Sequence, residues 1–159
     1  MRKSLLWLTL CALLTGPAAI PGPKSFRAIQ LAEFALDTNA TSVPPDLLIA
    51  LESELLSQLG KIKGCQLAVR KSSCAPLPRP ALGISGTVLR LEKPSGMFVK
   101  TLPVLVAHVR FTDLDTGHLL HEADITGTRA VFGAIGELDA TVRGFAKSLT
   151  KVTRTRFFP

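Results

Sequence analysis

With 159 residues, 47% of them hydrophobic, the chain has material for one well-buried domain. Its 19 lysines and arginines outnumber 12 acidic residues, for a formal charge of +7, which points to anionic partners. No histidine, cysteine or carboxylate spacing in it matches a metal site or a nucleophile with its base.

The first twenty residues carry Arg2 and Lys3, an apolar run from Leu5 to Leu14 and a small-residue tail, Thr15-Gly16-Pro17-Ala18-Ala19. A short positive end, an apolar core of about ten residues and a small-x-small exit at Gly16 and Ala18 read as a secretory signal peptide; spanning a bilayer takes about twenty apolar residues. Residues 1–19 are therefore expected to be removed near Ala18 or Ala19, leaving residues 20–159 as a single domain, periplasmic or secreted. Lipidation at Cys11 and an uncleaved anchor are the alternatives. Against lipidation, bulky Leu10 precedes the cysteine, and Cys11 falls inside the apolar run rather than at its end.

Losing Arg2 and Lys3 leaves 17 basic against 12 acidic residues, or +5. An exported basic chain meets phospholipid head groups, lipopolysaccharide, cell-wall polyanions or an acidic protein rather than nucleic acid. Cleavage also leaves two cysteines, Cys65 and Cys74, which in an exported chain are expected to pair, the alternative being reduced thiols. A ring of about ten residues would contribute roughly 2–3 kcal/mol through loop entropy.

The mature chain opens on Ile20-Pro21-Gly22-Pro23. Ile29, Leu31 and Phe34 fit either a buried strand or a short helix, and the turn signal Asp37-Thr38-Asn39 favours the strand. Asn39-Ala40-Thr41 has the form of a glycosylation sequon, a triplet that arises readily by chance. A helix follows: Ser42 can cap it, Pro44 and Pro45 suit its first turn, and Leu48, Leu51, Leu55 and Leu59 form its buried face before Gly60 stops it.

From Cys65 the period becomes that of strands. Cys65 to Lys71 alternates, Pro76 to Pro80 interrupts, Ile84 to Glu92 is the next strand, and Lys93-Pro94-Ser95-Gly96 is its turn. A long strand follows from Leu102 to Asp113. It puts Leu105, Ala107, Val109 and Phe111 on one face, and His108, Arg110 and Thr112 with Val104 and Val106 on the other.

Asp115-Thr116-Gly117 is the triplet of aspartic proteases, where two such aspartates share a proton. One copy would require a homodimer, and His118 stands where that pattern wants a small residue. A type I turn centred on Asp115 and Thr116, closed by Gly117 at positive φ, accounts for the same residues. His118 to Gly127 reads as the returning strand, on which His118 and His121 diverge. His121 beside His108, or Glu122 and Asp124 beside Arg110, are pairings that depend on register.

After Gly127, Gly133 and Gly136, a closing helix carries Ile135, Leu138, Val142, Phe145, Leu149 and Val152 as an apolar stripe. Arg143, Lys147 and Lys151 recur on another face, with Arg154 and Arg156 beyond. They form a candidate anion contact or, more simply, complement the helix dipole.

The order β-α-β-β-β-β-α predicts an α+β domain: an antiparallel or mixed sheet of four to five strands with two helices on one face. The Ile29-x-Leu31-x-x-Phe34 opening, Gly86-Thr87-Val88, the Asp113–Gly117 hairpin and the closing helix resemble small bacterial exported and envelope domains of unknown function. Many of these are lipoproteins, and the resemblance extends distantly to auxiliary lipoproteins of envelope transport and assembly systems. It implies a non-enzymatic periplasmic binding or assembly role without a cofactor, and a protein or anionic envelope component as partner, with peripheral membrane contact included. A secreted hydrolase using Asp115 and an anionic-surface module using Arg143, Lys147 and Lys151 are the alternatives.

Overall fold

The structure, a computed structural model, describes residues 25–40, 43–44, 46–92, 103–127 and 137–159. Ser42, Pro45, the Lys93–Gly96 turn, Gly133, Ile135 and Gly136 lie outside them, as does the signal segment, and the side chain of Leu138 is likewise not described.

Six strands and two helices form two layers. In chain order they are β1 (Ala28–Leu31), β2 (Ala35–Leu36), α1 (Asp46–Leu59), β3 (Leu67–Arg70), β4 (Ala81–Glu92), β5 (Val104–Asp113), β6 (Leu119–Thr126) and α2 (Glu137–Phe157). The sheet order is β3-β1-β4-β5-β6, with β2 also on β4. It has more strands than expected and is mixed: β1 runs parallel to both β3 and β4, whereas β4, β5 and β6 are antiparallel neighbours. A parallel pair needs a crossover, and α1 supplies the one from β1 to β3. The proline-rich stretch before β4 is the second crossover, returning the chain past β1, where Arg27 N donates to Pro80 O at 2.8 Å.

The opening strand is interrupted. Leu31 stands opposite Ile84 and Ala35 opposite Thr87, four steps on one chain against three on its neighbour, so one residue bulges between them. Here Phe34 is seated over Gly86. A β-carbon built on Gly86 would lie 2.3 Å from the Phe34 ring, so a glycine is what admits the aromatic. Phe34 in turn meets Phe145 of α2 edge-on, with centroids 6.2 Å apart.

Helix α1 packs over β1 and β3, and α2 over β5 and β6, on the same sheet face. The buried line of α1 is Leu47, Leu51, Leu55 and Leu59. Leu48, expected as its first member, is a half-buried flank, because spacings of four carry the line through Leu47 instead. Facing it are Ile29, Leu31, Leu82, Ile84, Ala107, Val109 and Phe111. Helix α2 runs five residues past Val152, and its end is held by aromatics: Phe157 packs 5.0 Å from Phe111 and 6.0 Å from Phe26, and Phe158 is buried beside it. Thr153, fully buried, donates its hydroxyl to Leu149 O at 2.9 Å.

The bridge between Cys65 and Cys74 is not formed; both are free thiols. Cys65 precedes β3 and its Sγ lies 3.5 Å from Leu67 O, whereas Cys74 follows the turn that Ser73 N closes on Arg70 O at the far end of that strand. Four strand residues span about 10 Å, beyond the roughly 7 Å a disulfide allows between Cα atoms. Partial burial pushes the Cys65 thiol above its ordinary pKa.

Candidate functional site

The sheet face away from the helices carries a charged cluster set by the β5–β6 register. His108 pairs with Asp124 and Arg110 with Glu122. His108 Nδ1 donates to Asp124 Oδ1 at 2.7 Å, His108 Nε2 lies 3.7 Å from Glu122 Oε2, and Arg110 Nε lies 3.6 Å from that same oxygen. Arg110 and the imidazole of His108 thus stand against Glu122 and Asp124 across adjacent strands. His121 takes no part: it faces the helix layer and stacks on Phe111 with centroids 5.8 Å apart.

Asp113–Gly117 forms the β5–β6 turn. Gly117 N donates to Asp113 O at 2.7 Å, Asp115 N donates to Asp113 Oδ1 at 2.8 Å, and Gly117 adopts φ 73°. That left-handed backbone favours glycine. The Asp115 carboxylate forms an ion pair with Arg79 of the proline crossover. The Asp-Thr-Gly triplet therefore ties a hairpin tip to its neighbour, with its carboxylate neutralised by a cation.

On the helical layer the balance is different. Arg143, Lys147, Lys151, Arg154 and Arg156 are all exposed, and none has an ion pair among the described residues. The ridge divides into two sites. Lys147 and Arg154 face the end of α1, where Lys61 and Lys63 join them around a notch of about 450 Å³. Its one acidic lining residue, Glu54, accepts a hydrogen bond from Gln58 Nε2 at 2.6 Å. Lys151 and Arg156 face the other way, across a groove of about 540 Å³ floored by Ala123 and Ile125 of β6 and by Val152. Arg143 is exposed beyond both.

Lys61 and Lys63 were not among the residues expected. The signal available was Gly60-Lys61-Ile62-Lys63-Gly64, a basic turn between two glycines, but its position beside α2 depends on how the helices pack. Among the described residues no group of three or more metal-ligating side chains occurs, and no helix is long and apolar enough to cross a membrane.

A mixed six-stranded sheet with two helices on one face defines the class of fold. No family model matches the chain, and no curated protein does. Solved structures do. The PelC dodecamer from Paraburkholderia phytofirmans is 19% identical, the match covering 79% of this chain and 87% of that one, with a TM-score of 0.52. A DUF330 protein from Xanthomonas campestris is 11% identical over 85% and 84%, at 0.49. A minor lipoprotein from Acinetobacter baumannii is 15% identical over 82% and 95%, at 0.40. At these identities the likeness is one of fold.

Proposed function

We propose that the chain is an exported, non-enzymatic accessory domain of the bacterial envelope that holds an anionic partner against its helical layer. The observation that carries this reading is a clustering of unpaired cations: Lys61 and Lys63 join Lys147 and Arg154 around one notch, and Lys151 and Arg156 line the β6 groove, none of them in an ion pair among the described residues. Unpaired cations grouped on one side attract a polyanion over about a Debye length, roughly 8–10 Å at physiological salt. Export rests on the opening signal pattern.

The test is retention of the mature chain on phosphatidylglycerol vesicles and on immobilised polyglutamate. The reading expects salt-sensitive retention on at least one of these, lost on neutralising Arg143, Lys147 and Lys151 together. Retention indifferent to those three residues overturns it.

A further inference from the structure

We infer that the groove between β6 and α2 receives an extended acidic polypeptide segment as an added strand. This rests on the cationic-layer reading for the sign of the partner's charge and adds a backbone recognition that charge alone does not supply.

Strand β6 ends the sheet order, with β5 as its one sheet neighbour among the described residues. The phase of its hydrogen bonding follows from one bond: Gly127 N donates to Leu105 O at 2.9 Å. Bonded and non-bonded pairs alternate along an antiparallel ladder. With Ile125 opposite Ala107 and Ala123 opposite Val109, these β6 residues direct their backbone groups to β5. Glu122, Asp124 and Thr126 therefore aim their N–H and C=O groups at the free edge. An eight-residue strand without proline presents a row of donors and acceptors there, the arrangement that accepts an incoming strand.

The surroundings fix the chemistry of the occupant. A strand added about 4.8 Å beyond β6 lies beneath α2, with alternate side chains turned towards the helix. Lys151 and Arg156 stand on that wall, and Ala123, Ile125 and Val152 make the floor. Asp124 is the acid at the rim, and its carboxylate is held by His108. Acidic side chains at alternate positions would thus meet cations. A second copy of this chain is the poorer occupant: pairing β6 with β6 about a twofold axis sets two copies of the Lys151 and Arg156 wall side by side, a like-charge contact. A bilayer offers no backbone to bond.

The experiment uses the full mature chain and a labelled octapeptide of alternating glutamate and valine, acetylated and amidated, read by fluorescence polarisation. Saturable binding is expected. Replacing the glutamates by lysine, or N-methylating alternate peptide bonds, should weaken it about fivefold or more, since each net hydrogen bond is worth about 1 kcal/mol. Thr126→Pro removes one outward N–H at an edge position where proline is tolerated, and should weaken binding by a similar factor without shifting the melting midpoint by more than a few degrees. Equal affinity for the N-methylated and parent peptides overturns the proposal whether or not Thr126→Pro folds. If Arg143→Glu abolishes binding while N-methylation leaves it unchanged, the cationic layer stands and strand addition falls. If the acidic peptide does not bind and polyglutamate is not retained, both fall. Self-association in sedimentation that Thr126→Pro abolishes would make the occupant a second copy and likewise overturn the proposal.

Discussion

The two outer faces of this domain arrange their charged residues differently. On the open sheet face, His108 and Arg110 of β5 stand opposite Asp124 and Glu122 of β6 and close on them within 4 Å. On the helical layer, the cations Lys61, Lys63, Arg143, Lys147, Lys151 and Arg154 have no ion pair among the described residues, and they outnumber the unpaired acids Asp46, Glu54 and Asp139. Exposed pairs of the first kind contribute under about 1 kcal/mol each. The second arrangement gains little for the fold, and the proposed function gives it a partner. Net charge alone would have treated all these residues as equivalent.

The comparison can be broken most severely by removing what seats the helical layer. Phe157→Ala should cost about 3 kcal/mol in chemical denaturation, since its ring packs on both Phe111 and Phe26. Gly86→Ala should cost about 2 kcal/mol, because Phe34 has no room to retreat beneath Phe145. Combining it with Phe34→Ala should cost less than the sum of the two single changes, and strict additivity would show that the close contact is not the cause. The sheet face should respond far less: Arg110→Gln or Asp115→Asn should shift stability by under about 1 kcal/mol, each removing one exposed ion pair. Smallest is a difference in thiol chemistry. At neutral pH iodoacetamide should modify exposed Cys74 faster than Cys65, whose raised pKa and partial burial leave less accessible thiolate. Protection of both thiols until reductant is added would show that the bridge forms in the mature protein after all.

How much of this was legible beforehand depended on the range of the interactions. The β5–β6 hairpin, its glycine-closed turn, α1 and the body of α2 are local structures, and their periodicity and turn residues marked them. The central place of β1, its parallel pairing and the proline crossover were not legible, because parallel neighbours are distant in sequence and leave no turn signature. The leucine line of α1 was shifted by one residue, since Leu47 and Leu48 adjoin and only packing selects between them. The ridge Arg143, Lys147 and Lys151 was legible as a stripe. Its division into a notch shared with Lys61 and Lys63 and a groove shared with β6 was not, because both depend on which elements flank α2. Phe157 and Phe158 stood beyond the recognised apolar stripe, and so their core role was missed.

The central claim is that the helical layer is the binding face and the open sheet face is not. Its most direct test is the salt concentration that elutes the mature chain from immobilised polyglutamate, measured for the native protein, for the Arg143→Glu, Lys147→Glu, Lys151→Glu triple variant, and for the His108→Gln, Arg110→Gln double variant. The account predicts that the triple variant fails to bind at low salt while the double variant elutes with the native protein. Loss of retention in the double variant, or its persistence in the triple, would contradict it.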